Sequence, residues 1–221
     1  MRTIARTATV LGLVCLAQVP SLFAQSKGFD KFAWYLGAQG GVSIVETQTQ
    51  TAGAFPAVGG HTLITARRTG LLISVDEIIA TNETSSYSDP AVVGGRRGVA
   101  FNDLRKFSFT LVAFPFKGSV QPYIGVGVGV MQTVNEYPSG PFNSPAEADQ
   151  AKKTANDLGT HTFPNFTAGA QIRAGKLIIF AQYELAGSPP SDHLVVGSTH
   201  TINAGIRYKI GSSREEDTGR E

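Results

Sequence analysis

Residues 122–130 read PYIGVGVGV, and this alternation of glycine and valine constrains the fold more than any other feature of the sequence. Successive residues of a β-strand point to opposite faces, so Ile124 and the valines share an apolar face while Tyr123 and the glycines share the other. Glycine weakens the interior of a strand, and three glycines on the same face indicate that other segments crowd that face. The run therefore predicts a strand with an apolar outer face and a tightly packed inner one.

The N-terminal residues have the pattern of a secretory signal peptide. Arg2 and Arg6 precede an uncharged run over residues 8–17, and a small-residue site ends at Ala24. The run is too short to cross about 30 Å of hydrocarbon as a helix, so we expect cleavage after Ala24. Cys15 is the only cysteine and lies inside this signal. The mature chain is therefore predicted to have no disulfide and no thiolate metal site.

Charge and length limit the remaining chain to a few classes of protein. The sequence has 19 Lys and Arg and 17 Asp and Glu, and removal of Arg2 and Arg6 leaves 17 of each. A formally neutral chain gives no electrostatic reason to expect a nucleic-acid partner. We predict a signal peptide at residues 1–24, one domain at 25–211 and a polar tail at 212–221.

Alternation with a period of two divides the mature chain into eight predicted strands. They cover about residues 32–47, 61–67, 71–80, 99–114, 122–134, 162–174, 177–186 and 200–210. One face of these strands carries Val, Ile, Leu and Phe, and the other carries Gly, Ser, Thr, Gln and charged residues. This pattern predicts an all-β fold, an eight-stranded antiparallel up-and-down transmembrane β-barrel. A soluble barrel with an apolar ligand inside would need the opposite arrangement.

The predicted connections alternate between short and long. Those after strands two, four and six are short, and the long ones cover about residues 48–60, 81–98, 135–161 and 187–199, with a short helix possible at 146–158. Short turns on one rim and long loops on the other are typical of outer-membrane barrels. An even number of strands then leaves both termini on the periplasmic side.

Five aromatic residues fall near the ends of the predicted apolar faces. We expect Trp34 and Tyr208 at the periplasmic membrane interface and Phe101, Phe166 and Tyr183 at the interface on the loop side. Sheets favour aromatic residues in any case, so ordinary strand aromatics in a soluble barrel are the alternative.

Charged residues on the predicted inner face form the first candidate site. They are Asp76, Lys106, Arg173, Glu184, Arg207 and Lys209. Side chains just fill an eight-stranded barrel, and buried charges need partners, so we expect a structural salt-bridge network in which Glu184 faces Arg207 and Arg173. The glycines of residues 122–130 would leave room for Lys106 and Arg173. A gated ion path is the alternative use of these charges.

The histidines and one serine form the second candidate site. His61, His161, His193 and His200 all fall in or beside the predicted long loops, and their spacing predicts solvated side chains and no metal site. Ser198 and His200 fall on the same predicted face near the loop rim, and the neighbouring strand carries Glu184. These are the residue types that a catalytic triad of a lipid-modifying enzyme would require. No motif supports such a triad, so we predict no catalytic residues and no cofactor.

Three segments carry a family resemblance: residues 122–130, FAQYEL at 180–185 and TINAGIRYKI at 201–210. They resemble the small eight-stranded outer-membrane β-barrel proteins of Gram-negative bacteria, the OmpA and OmpX type. The last strand departs from that family's pattern, because Ile210 stands where a terminal aromatic residue is usual and 11 residues, 211–221, follow it.

The resemblance implies a monomer in the outer membrane that contacts lipids, lipopolysaccharide and, during biogenesis, the barrel-assembly machinery. It also implies a structural or surface-interaction role, with four exposed loops that bind an unknown extracellular ligand. A narrow conduit for small solutes or ions and a lipid-modifying enzyme are the alternatives, because one fold supports many functions.

Overall fold

Eight long strands with alternating apolar and polar side chains make up most of the protein, whose computed structural model describes residues 32–213. They are β1 (Phe32–Thr47), β2 (Gly53–Ala66), β3 (Thr69–Ser88), β4 (Arg96–Ala113), β5 (Val120–Val134), β7 (Thr160–Ala174), β8 (Leu177–Ala186) and β9 (Val195–Ser213). A two-residue strand, β6 (Tyr137–Pro138), pairs with β4 and precedes helix α1 (Pro145–Gly159). Within residues 32–213, no helix combines the length and the apolar character needed to cross a membrane.

The long strands close into a ring. Each pairs antiparallel with its neighbours along the chain, and β9 pairs with β1 to complete the circle. The predicted all-β, eight-stranded, antiparallel up-and-down barrel is therefore confirmed. At the first rim the strands join through residues 67–68, 114–119 and 175–176, and at the second rim through 48–52, 89–95, 135–159 and 187–194. The described ends of β1 and β9 lie together at the first rim.

Strands reach further toward the second rim than the sequence predicts, so the loops predicted at 48–60 and 81–98 are too long. β2 begins at Gly53, and β3 and β4 pair as far as Ser88 and Arg96. Glycine is required at Gly59 inside β2 because an added Cβ would lie 2.5 Å from the Val75 backbone carbonyl oxygen, in addition to colliding with the Asp76 carboxylate. β9 includes residues 212 and 213, whereas the predicted signal peptide and the rest of the tail lie outside the described residues.

An irregularity in β3 changes which side chains point inward. The register shifts between Ile79 and Glu83, opposite Phe101 of β4, and Asn82 has a positive φ of 54°. Such a bulge reverses the alternation along both strands, so Phe101 and Leu104 are both buried although they are three residues apart. The predicted interface position of Phe101 is therefore wrong, because this side chain is fully buried inside the barrel.

The inward side chains form three zones along the barrel. A lower apolar layer near the first rim contains Ala33, Tyr35, Leu63, Leu72, Val112, Phe114, Tyr123 and Ile178. An upper apolar layer contains Val45, Ala57, Ile78, Phe101, Leu104, Met131, Phe163, Ala186 and Val195. Between them lies a polar belt whose buried members include Gln39, Asp76, Lys106, Asn165 and Glu184. A second group of buried polar side chains lies beside the lower layer and includes His61, Gln171, Gln182 and Arg207.

The glycines of β5 lie against crowded neighbours, although these differ from the ones expected. An added Cβ would lie 2.7 Å from Thr110 Cγ2 at Gly125 and 2.5 Å from Asn165 Oδ1 at Gly127. At Gly129 it would collide with the Phe163 ring. The nearest atoms thus belong to β4 and β7, and neither Lys106 nor Arg173 is among them.

Candidate functional site

Lys106 is the centre of the polar belt. Its Nζ lies 3.3 Å from Glu184 Oε1 and 3.8 Å from Asp76 Oδ2, and all three side chains are almost completely buried. Ser108 donates a hydrogen bond of 3.1 Å to Glu184, and Gln39 donates one of 2.5 Å to Asp76. Strands β1, β3, β4 and β8 each contribute a side chain, so this cluster ties the walls of the barrel together across its interior.

Arg207 forms a separate cluster nearer the first rim. It donates hydrogen bonds of 2.9 Å to His61 Nε2 and to Gln171 Oε1, and its guanidinium carbon lies 3.8 Å from the centre of the Phe180 ring. Within residues 32–213 the described contacts of this fully buried guanidinium are hydrogen bonds to neutral oxygen and nitrogen atoms and stacking on aromatic rings. Cation–π contact strengthens when the pair is desolvated, as it is here.

The expected pairing of Glu184 with Arg207 does not form. Glu184 lies opposite Thr201, whereas Arg207 lies opposite Ile178. Six residues separate these two levels, which is about 20 Å along a strand. Arg173 and Lys209, the other two charges predicted inside, are only half-buried near the first rim, with the Arg173 guanidinium 6.0 Å from the centre of the Tyr35 ring.

A cap of packed segments covers the second rim. We define it as residues 84–100 of the β3–β4 hairpin, β6, α1 and the 187–194 connection. Tyr87, Val99, Ala155 and Leu194 form its small apolar core. The Leu194 backbone N–H donates a hydrogen bond of 3.1 Å to the Leu158 carbonyl, and the Tyr87 hydroxyl donates one of 3.3 Å to the Ala151 carbonyl. The cap therefore has a defined packing of its own.

Arg97 joins the parts of the cap. Its side chain is 1% exposed, and its guanidinium lies 2.5 Å from Asp89 Oδ2 and 3.0 Å from Glu147 Oε1. It also donates a hydrogen bond of 2.9 Å to the Ser139 carbonyl and lies over the Phe142 ring. One arginine thus connects the hairpin tip, the segment before α1 and the first turn of α1.

Comparisons with known proteins bear on the barrel. The crystal structure of Neisserial surface protein A (NspA) superposes with a TM-score of 0.53 at 11% identity, covering 80% of this chain and 97% of that one. The fold is that of the small eight-stranded outer-membrane barrels. The N-terminal β-barrel domain of Pseudomonas aeruginosa OprF matches at a TM-score of 0.46 and 10% identity, covering 80% and 97%. No protein-family model and no curated sequence matches the chain.

The aromatic residues predicted at the membrane interfaces lie mostly on the outer surface of this small barrel. Trp34, Phe166 and Tyr208 are exposed there, and Tyr183 is partly exposed, with its hydroxyl 2.6 Å from His200 Nδ1. Phe101 is the exception already described. Four of the five predicted interface aromatics thus point away from the barrel interior.

The histidines are less solvated than the sequence predicts. His61 is 4% exposed inside the barrel and His161 is 7% exposed beneath the cap, because β2 and β7 extend further than expected. His161 lies beside His193 of the 187–194 connection. Among residues 32–213 there is no group of three or more His, Cys, Asp and Glu placed to hold a metal ion.

The imagined triad of Ser198, His200 and Glu184 is not assembled. His200 lies on the outer face of the barrel, where it contacts Tyr183. The Ser198 hydroxyl lies 3.2 Å from that of Ser188. Glu184 points inward and contacts Lys106. Glu184 and His200 lie at nearly the same level of the neighbouring strands β8 and β9. Their side chains point to opposite faces of the sheet, so the carboxylate and the imidazole do not meet.

Acidification is expected to loosen the cap. The hydrogen bond from Arg97 lowers the pKa of Asp89, and the hydrogen bond from the Asn143 backbone N–H, with a smaller contribution from Arg97, lowers the pKa of Glu147. Lowered values mean that both carboxylates stabilise the cap above their ordinary pKa of about 4 and lose that contribution as the pH falls through the lowered values.

Amide hydrogen exchange of α1, corrected for its intrinsic pH dependence, measures this effect between pH about 6 and about 2.5. Arg97→Gln should reduce the protection of α1 already at the higher pH. Arg96→Gln is the control, because Arg96 contacts only Ser86 among the described hydrogen-bond partners. Protection of α1 that is equal at both pH values in the unmodified protein would contradict the prediction.

Proposed function

We propose that the protein is an integral outer-membrane barrel of a Gram-negative bacterium with a structural or surface-binding role and no catalytic step. The observation that carries this proposal is the sealed interior. Apolar layers lie above and below the polar belt, and the cap covers the second rim. An ion in the belt would have to pass the packed side chains of one of these layers to leave it, because side chains fill an eight-stranded barrel, and this favours a closed barrel over a conduit.

The outer surface supports a location in lipid. Leu36, Leu111, Val126, Val128 and Ile202 are each more than half exposed, and similar residues surround the ring. A continuous exposed apolar surface of this kind is typical of contact with a membrane or another protein. Toward the second rim the outer surface carries an ion pair between Arg105 and Glu77, and we propose that lipid or lipopolysaccharide headgroups lie at this level.

The cap is the surface that we propose for binding an extracellular partner. Val93 at the tip of the β3–β4 hairpin is fully exposed, and Tyr137 of β6 is 60% exposed. The exposed side of α1 carries Asp149, Lys152, Lys153 and Asp157, so its charges are balanced. Because Arg97 and the small apolar core already fix the cap, a partner would meet a preformed surface and would order few residues on binding.

Labelling of single cysteines tests the location and the orientation together. Cys15 is the only cysteine in the sequence and belongs to the predicted signal peptide, so Val93→Cys and Phe116→Cys each create one thiol in the mature chain. Val93 lies in the cap, and Phe116 lies 63% exposed in a turn at the first rim. A membrane-impermeant maleimide should label Val93→Cys on intact cells and Phe116→Cys only after the outer membrane is permeabilised. Labelling in the reverse order, or a barrel recovered in the soluble periplasm, would refute the proposal.

A conductance measurement distinguishes the proposed structural role from the alternative of a conduit for ions. We expect the purified protein to give no current steps in planar lipid bilayers, because both apolar layers would have to open. Reproducible steps that disappear in Glu184→Gln would instead assign the polar belt to an ion path.

A further inference from the structure

Two histidines that are 32 positions apart in the sequence lie together where the cap meets the upper end of the barrel interior. His161 stands at the start of β7 and points into the barrel, and His193 belongs to the 187–194 connection. Their ring centres are 5.5 Å apart, and the ring planes are inclined by 79°. Backbone contacts hold His193 in place, since its carbonyl accepts a hydrogen bond from Gln48 and its own N–H donates to the Pro190 carbonyl.

Both rings have an unsatisfied nitrogen. The Nδ1 atoms of His161 and His193 are buried and have no hydrogen-bond partner within residues 32–213. Buried polar atoms normally have a partner, so two such atoms on adjacent rings call for an explanation. The nitrogen of a neutral imidazole is a common metal ligand, and two imidazoles on one ion at about 2.1 Å have ring centres about 5 Å apart.

We propose that His161 and His193 together bind a divalent transition-metal ion, such as Zn²⁺, beneath the cap. Imidazole nitrogen suits zinc, copper and nickel, whereas calcium and magnesium prefer oxygen ligands. The described residues supply only these two ligands, so water completes the coordination, and the affinity is lower than at a structural zinc site with four protein ligands. The ion links the 187–194 connection to β7. This inference does not depend on the proposed function.

Titration calorimetry with ZnCl₂ tests the site in the full mature protein, folded in detergent micelles and prepared without a histidine tag. We expect one saturable site per chain with a micromolar Kd. His161→Gln and His193→Gln should each weaken binding at least about tenfold, the loss seen even for residues that only orient a metal ligand. His200→Gln is the matched control, because His200 contacts Tyr183 on the outer face and should leave binding unchanged.

Two further readouts keep the result independent of folding. Gel mobility with and without heating shows whether each variant still forms the barrel, and electron paramagnetic resonance with Cu²⁺ should show two coupled imidazole nitrogens in the unmodified protein and one in each single variant. Zinc should also slow hydrogen exchange in residues 187–194. Absence of saturable binding, binding that both folded variants retain, or binding that His200→Gln removes would each overturn the proposal.

Discussion

Replacement of Lys106 by methionine is expected to destabilise the barrel by about 3–5 kcal/mol, the usual cost of removing one partner from a buried ion pair. Lys106 is the cation shared by Glu184 and Asp76, and the three side chains are at most 3% exposed. Methionine has a similar length but no charge, so it would leave two carboxylates inside the barrel without a cation. Urea unfolding of the protein in micelles, followed by the fluorescence of Trp34, the only tryptophan, measures the change.

Arg105→Met is the matched control for this experiment. Arg105 is the preceding residue of β4, and it pairs with Glu77 on the outer surface, where its side chain is 45% exposed. Exposed ion pairs contribute about 0–1 kcal/mol, so this variant should lose far less stability. Adding Asp76→Asn and Glu184→Gln to Lys106→Met removes the two unpaired carboxylate charges and should recover most of the lost stability. Equal losses in the two single variants would contradict the assignment of Lys106 as the central cation.

Alternation along the sequence predicts which face a residue occupies but not the level at which it lies. Glu184, Arg207 and Lys106 all fall on the predicted inner face, and the structure places all three there. The partner of Glu184 depends on register, which a tight turn fixes within a hairpin, but β8 and β9 are joined by the longer 187–194 connection. Arg207 is the partner that the sequence predicts because it lies on the neighbouring strand. The cation at the level of Glu184 is Lys106 of β4 instead.

The bulge and the cap were harder to predict for different reasons. Phe101 lies beyond an irregularity, and an extra residue in a strand reverses the faces that a strict period of two assigns. The contacts of Arg97 join segments up to 50 positions apart, so no local spacing reveals them. One signal was available in the sequence, because Ser144 and Glu147 form a capping-box pattern that marks the start of α1.

Replacement of Gly127 by valine is expected to destabilise the barrel by about 1–3 kcal/mol or more, the range for overpacking a filled interior. A Cβ at this position would collide with the Phe109 carbonyl and would lie 2.5 Å from Asn165 Oδ1. The first obstacle belongs to the backbone of β4, so a change of rotamer cannot relieve it. Asn165 would also be pushed from its hydrogen bond of 2.9 Å to Thr110 in the polar belt.

Gly40→Val separates this steric effect from the change in residue type. Gly40 lies on the outer face of β1, and an added Cβ there meets its nearest atom, the Ala57 carbonyl oxygen, at 3.7 Å. Valine suits a strand better than glycine, so this variant should be neutral or slightly stabilised in the same urea unfolding experiment. If Gly127→Val unfolds at the same urea concentration as Gly40→Val, the inner face of β5 is not crowded. A large loss confined to Gly127→Val would mean that alternate residues of β5 are glycine because β4 and β7 leave no room for a side chain.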